Sequence, residues 1–159
     1  MTTRKAVPHP HHHHHDAEGF VHAVERACRE RGLRLTPLRR EVLGLVADSR
    51  KPVKAYDLLD QLRDSHGNAA PPTVYRALDF LLEQNFIHKL ESINAFVSCH
   101  HPTVSHQVPF LICDVCDSAF EVCDEHVAEL IEAQAEQLGF QPQAQTLEVH
   151  GICKDCRNP

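Results

Sequence analysis

The chain carries the same short motif twice, Cys113-x-x-Cys116 and Cys153-x-x-Cys156. Two intervening residues let a tight knuckle aim both sulfurs at one point, and two knuckles supply the four thiolates of a tetrahedral zinc site. Such a site has no open coordination position, so its metal serves folding rather than reaction. The 36 residues between Cys116 and Cys153 exceed the usual ribbon separation and leave room for a strand and a helix inside the metal-closed loop. Disulfides are the alternative for paired cysteines, but they require an oxidising compartment, and the first thirty residues lack the apolar core of a secretory signal. The expected location is cytoplasmic. A thioredoxin-type redox pair would accompany a βαβ pattern, which does not surround these motifs.

The elements that position these groups divide into two halves. At 159 residues and 42% hydrophobic content the chain can fill one modest core or two small ones, and the patterning favours two. No stretch approaches the roughly twenty apolar residues of a membrane span, so a soluble protein without a membrane partner is expected. Residues 1–98 hold 14 Lys/Arg against 12 Asp/Glu, whereas residues 99–159 hold 2 against 10, giving +2 and −8. Only the amino-terminal half suits a polyanion; the acidic half suits cations. Residues 1–16, with His9 and the run His11 to His15 among prolines, are expected to form a disordered tail, either a purification tag or a native metal-scavenging segment.

Four helical patterns follow. Phe20, Val24, Ala27 and Cys28 share one face of the first, which places Cys28 in a packed interior rather than at a metal. Thr36-Pro37 is a hydroxyl cap before a proline at the first helical position, and Leu38, Val42, Leu45 and Val46 then recur at helical spacing. Ala55, Leu58, Leu59 and Leu62 define the third helix. The fourth starts on Pro71-Pro72 and turns Val74, Ala77, Leu78, Leu81 and Leu82 inward, leaving Thr73, Tyr75 and Arg76 near the amino-terminal end of a free outer face. Recognition helices touch base edges and phosphates from that position, although a solvated surface arginine is the plain alternative. Residues 86–90 and 95–98 read as a hairpin wing joined through Ser92-Ile93-Asn94. The expected fold is α+β: a winged helix-turn-helix over 17–98, a hinge over 99–109, and a small carboxy-terminal α/β dimerisation domain over 110–159.

TPLR at 36–39, AYDLLDQL at 55–62 and PPTVYRALDFLLEQNF at 71–86 resemble the ferric uptake regulator family, most closely its zinc-responsive (Zur) branch. The likeness runs from residue 17 to 156 and ends in the paired CxxC motifs that the family uses for structural zinc. It implies a homodimeric, metal-activated transcriptional repressor, not an enzyme, with no small-molecule substrate. Double-stranded DNA is its partner, as a palindromic AT-rich operator, and zinc is the co-repressor controlling zinc uptake and homeostasis genes. Tyr56 and Arg76 match the family's base-contacting positions. Arg39, Lys54 and Thr73 are candidate phosphate contacts by charge and placement. Asp60 and Arg63 are candidates for a contact between neighbouring dimers on DNA, against the simpler reading of an intrahelical pair three residues apart.

Residues 109–113 and 118–123 read as two strands turning through the first knuckle. Val127, Leu130, Ile131, Ala135 and Leu138 give the next helix an apolar face, Gly139 stops it, and residues 146–150 form a further strand. Free strand edges here suit twofold pairing with a second copy. A sensor needs an exchangeable site besides the closed one, hence two Zn2+ per subunit. The resemblance assigns His88, Cys99, His106 and Glu121 to that regulatory site. One thiolate, two imidazoles and one carboxylate favour four-coordinate zinc over iron or manganese. Read singly, each has an ordinary alternative as a hydrogen-bonded histidine or a wet glutamate, and His100, His101, His126 and His150 are substitute donors. Cys123, on the same strand face as Glu121, is expected to be a buried, unligated thiol.

Iron and peroxide sensors of the family carry a His- and Asp-rich run before the first CxxC. In residues 106–110 most of those donors are missing, and Leu138 stands where the partner histidine of that site would lie. This demotes an iron-responsive reading. A zinc hydrolase would need an open metal position beside a general base, and no nucleophile or pocket is legible. A zinc-buffering protein, suggested by the histidine tail, would bind zinc without preferring any DNA sequence.

Overall fold

The computed structural model describes residues 16–66, 70–99, 101–102, 108–122, 125–143 and 146–157. The histidine run, His100, His106 and Cys123 lie outside the described residues. Among the described residues no helix is long and apolar enough to cross a membrane.

The amino-terminal unit comprises α1 (Ala17–Glu30), α2 (Pro37–Asp48), β1 (Val53–Lys54), α3 (Ala55–His66), α4 (Pro71–Glu83) and the hairpin β2 (Ile87–Leu90) and β3 (Ala95–Ser98). Asp16 caps α1 by accepting from the Gly19 N–H at 2.8 Å, and Gly32, at φ +66°, supplies the left-handed turn that ends it. Thr36 caps α2 by accepting from the Arg39 N–H, with Pro37 at the first helical position. The inward faces of the four helices close on one core that includes Cys28, Val42, Leu58, Leu62, Val74, Leu78 and Phe86. Asn85, at φ +58°, reverses the chain from α4 into β2. The two-residue strand β1 has no counterpart in the sequence reading; it pairs with β3 to complete a three-stranded sheet in the order β1-β3-β2.

The carboxy-terminal unit comprises β4 (Phe110–Cys113), β5 (Ala119–Glu121), α5 (Glu125–Gln137), β6 (Glu148–Gly151) and the short α6 (Lys154–Arg157). Its sheet runs β5-β4-β6, with β4 antiparallel to β5 and parallel to β6. Of the expected apolar face of α5, Ala135 is buried while Leu130 and Leu138 are 63% and 81% exposed. Among the described residues Leu130 and Leu138 therefore have little cover, while Val127 and Ile131 are half-buried.

The wing is a layer between two cores. Strand alternation turns Ile87 and Phe96 into the helical core, and turns His88, Leu90 and Val97 to the opposite side. There Leu90 packs with Phe110 and Ile112 of β4, bordered by Ile93, Val97, Val108 and Ala119. This small second core joins the two units.

Candidate metal centres

Parallel pairing of β4 with β6 sets Cys113 opposite Gly151, two residues before Cys153, so sheet register delivers the second knuckle to the first. The Asp114 N–H donates to the Gly151 carbonyl at 2.8 Å and locks that alignment. Asp117, at φ +60°, takes the left-handed conformation that completes the first knuckle. All four sulfurs, from Cys113, Cys116, Cys153 and Cys156, lie within 4.8 Å of one another. A tetrahedron with zinc–sulfur arms of about 2.3 Å has edges of about 3.8 Å, and Cys116 Sγ stands 3.8 Å from Cys153 Sγ. No described cysteine is disulfide-bonded.

The electrostatics agree with a cation at the centre. The Cys153 N–H donates to Cys113 Sγ at 3.3 Å, and with the Cys116 N–H it lowers the Cys113 thiol to about 6. The Ser118 hydroxyl and N–H hold Cys116 below the usual thiol range. Cys156 is pushed up to about 12 by its contacts with Cys153 and Cys116. Packed sulfurs cannot all lose protons by themselves; a divalent cation removes that conflict and suits this donor set.

His88, Cys99 and Glu121 form a second group, their ligand atoms also within 4.8 Å of one another. His88 comes from β2, Cys99 from the residue after β3, and Glu121 from the end of β5, so the group straddles the joint between units. Cys99 is fully buried, its N–H donating to the Phe86 carbonyl at 3.1 Å. Arg31, over the Phe86 ring, donates to the Pro102 carbonyl at 3.2 Å and ties the following residues to the amino-terminal unit. Cys99 therefore belongs mechanically to the wing side of the expected hinge. The His88 ring meets the edge of Phe110 at 5.4 Å between centroids, and its Nε2 has no solvent access. Phe110 in turn pairs with Glu121 across β4 and β5. A closed thiol, imidazole and carboxylate converging in this way fit zinc.

Both ring nitrogens of His150 are engaged: Nδ1 lies 2.8 Å from Asp114 Oδ1 and Nε2 lies 2.9 Å from Ser92 Oγ. His101 and His126 are exposed and stand outside both groups.

Thr73, Tyr75 and Arg76 are exposed along the outer face of α4, and Lys54 and Tyr56 are exposed where β1 meets α3. Arg39, a candidate phosphate contact, is tied to its own unit. Its guanidinium stacks 3.6 Å from the Phe80 ring centroid and donates to the Arg34 carbonyl at 2.7 Å. Asp60 and Arg63 form the intrahelical pair, at 3.0 Å.

Known proteins share this fold. The sequence profile of the ferric uptake regulator family matches residues 30–150. The zinc uptake regulation protein of Escherichia coli (strain K12) is 47% identical over 135 residues, 83% of this chain and 78% of that protein. Among solved structures, a zinc uptake regulator complexed with zinc and DNA superposes with a TM-score of 0.85 at 43% identity, covering 89% of this chain and 95% of that one. Holo XcZur gives 0.83 at 64% identity, covering 89% and 99%. Its apo form gives 0.54 at 65% identity, covering 89% and 98%. With the family profile matching residues 30–150 and a relative 47% identical over most of the chain, the chain belongs to the ferric uptake regulator family.

Proposed function

We propose that this protein is a zinc-responsive, DNA-binding transcriptional repressor that controls zinc uptake and homeostasis genes, acting as a cytoplasmic homodimer on a palindromic AT-rich operator. The carrying observation is that His88, Cys99 and Glu121 meet at the joint between the winged unit and the carboxy-terminal unit. His106 completes this set on the family resemblance. Two metals per subunit follow, one in the cysteine cage and one at the joint. Zinc at the joint supplies the attraction that holds imidazole, thiolate and carboxylate at one point.

The protein's own residues do the rest. His88 and Cys99 move with the wing and α4, and Glu121 moves with β5. Bringing them together selects one orientation of Thr73, Tyr56 and Arg76 relative to the dimer partner. That orientation sets the spacing of two recognition helices against successive major grooves. Coupling of about 1–3 kcal/mol, typical of allosteric sites, changes affinity about 5- to 150-fold. The fold described here follows holo XcZur more closely than apo XcZur at nearly equal identity, which favours an arrangement-based response. Leu130, Leu138 and Leu111 supply exposed apolar surface for the dimer.

The test is equilibrium binding to a palindromic AT-rich duplex and to a scrambled duplex, with and without zinc. Zinc-dependent preference for the palindrome is expected. Zinc uptake without any sequence preference would instead identify a buffering protein.

A further inference from the structure

We propose that the wing tip and β6 form a metal-independent latch, in which Glu148 and His150 hold the turn after β2 and so keep the wing in register with Glu121. The inference rests on the zinc-dependent reading above and deepens it: His88 and Cys99 are ligands, whereas Glu148 and His150 are positioning residues.

Alternation along β6 sets Glu148 and His150 on one face, toward the turn of the hairpin. The two oxygens of Glu148 accept from the consecutive backbone N–H groups of Glu91, at 2.6 Å, and Ser92, at 3.0 Å. Two adjacent N–H groups at a turn make an anion-binding concavity, here filled by a carboxylate from the other unit. Burial works to raise the Glu148 pKa, and the hydrogen bonds from Ser92 and Glu91 outweigh it, leaving the carboxyl below its ordinary range. His150 extends the contact, bridging Ser92 Oγ and Asp114.

The mechanical reason is leverage. His88 precedes Glu91 by three residues on an extended strand, a separation of about 10 Å. Leu90 lies between them in the small shared core. One attachment is a pivot, whereas two attachments about 10 Å apart suppress rotation of the wing. The latch therefore favours the arrangement in which zinc can join His88 and Cys99 to Glu121, and lowers the zinc concentration needed for DNA binding.

The experiment uses the full-length dimer with its cysteine site loaded, comparing wild type with Glu148→Ala, Glu148→Gln and Ser92→Ala. Zinc is titrated against binding to a palindromic AT-rich duplex, and X-ray scattering is recorded before the titration. Glu148→Ala is expected to raise the half-maximal zinc concentration roughly tenfold, as loss of charge-assisted hydrogen bonds implies, with affinity recovered at saturating zinc. The scattering distance distribution should broaden. Glu148→Gln, which keeps an acceptor, should fall between, and it carries the test if the alanine variant does not fold. An unchanged zinc midpoint with unchanged scattering would overturn the latch, as would an equal affinity loss at every zinc concentration. If wild type shows no zinc response, the proposed function fails, and scattering still judges the latch: identical wild-type and variant profiles overturn it.

Discussion

Replacing Leu90 with alanine separates joint stability from fold stability. Leu90 is fully buried, yet its neighbours are Phe110 and Ile112 of the other unit rather than the helical core. Truncation removes three carbons worth about 0.8 kcal/mol each in transfer, and the residual cavity brings the usual cost to about 3 kcal/mol or more. The chain can relieve that loss by undocking the wing without unfolding α1 to α4. Docking then weakens by up to about two orders of magnitude, since about 1.4 kcal/mol is tenfold. A ligand that binds only the docked state loses apparent affinity by the same factor. Fluorescence anisotropy on a labelled duplex, titrated with zinc, should show a midpoint raised by up to about 100-fold, with melting of the winged unit nearly unchanged. Leu58→Ala is the control, since Leu58 is buried in the helical core. It should lower the melting temperature and leave the zinc midpoint in place. If Leu90→Ala depresses melting and spares the midpoint, the second core is not the joint.

Three further substitutions probe the remaining groups. Cys99→Ser should abolish zinc-dependent duplex binding while leaving a folded dimer with one tightly held zinc, and wild-type titration behaviour would reject Cys99 as a ligand. Cys113→Ser should remove the caged zinc and unfold or monomerise the carboxy-terminal unit; a variant that sediments as a dimer would argue against a structural role. Arg76→Ala should reduce discrimination between palindromic and scrambled duplexes by about 1–3 kcal/mol, whereas equal loss on both would reassign Arg76 to phosphate contact.

Local chemistry carried much of this protein into view. Helical spacing alone put Cys28 in the core, where it is 2% exposed, and the Thr36-Pro37 start acts as its chemistry requires. Side chains whose role depends on a distant neighbour were less legible. The stacking of Arg39 on Phe80, forty-one residues later, has no signal in the sequence around either residue. His150 reads as a possible donor to metal until Ser92 and Asp114 engage both ring nitrogens. The apolar face of α5 was visible, but periodicity cannot tell whether an apolar stripe meets its own chain or a second copy.

The order of residues, by itself, determined the donor types, the knuckle spacing and the helix ends, because each arises from residues close along the chain. Tertiary structure alone decided that His88, Cys99 and Glu121 converge, that the wing has a second buried face, and that Glu148 reaches the wing tip. Those outcomes depend on sheet register and on how one sheet packs over another, and a single-residue slip in either would send every one of these side chains to the opposite face.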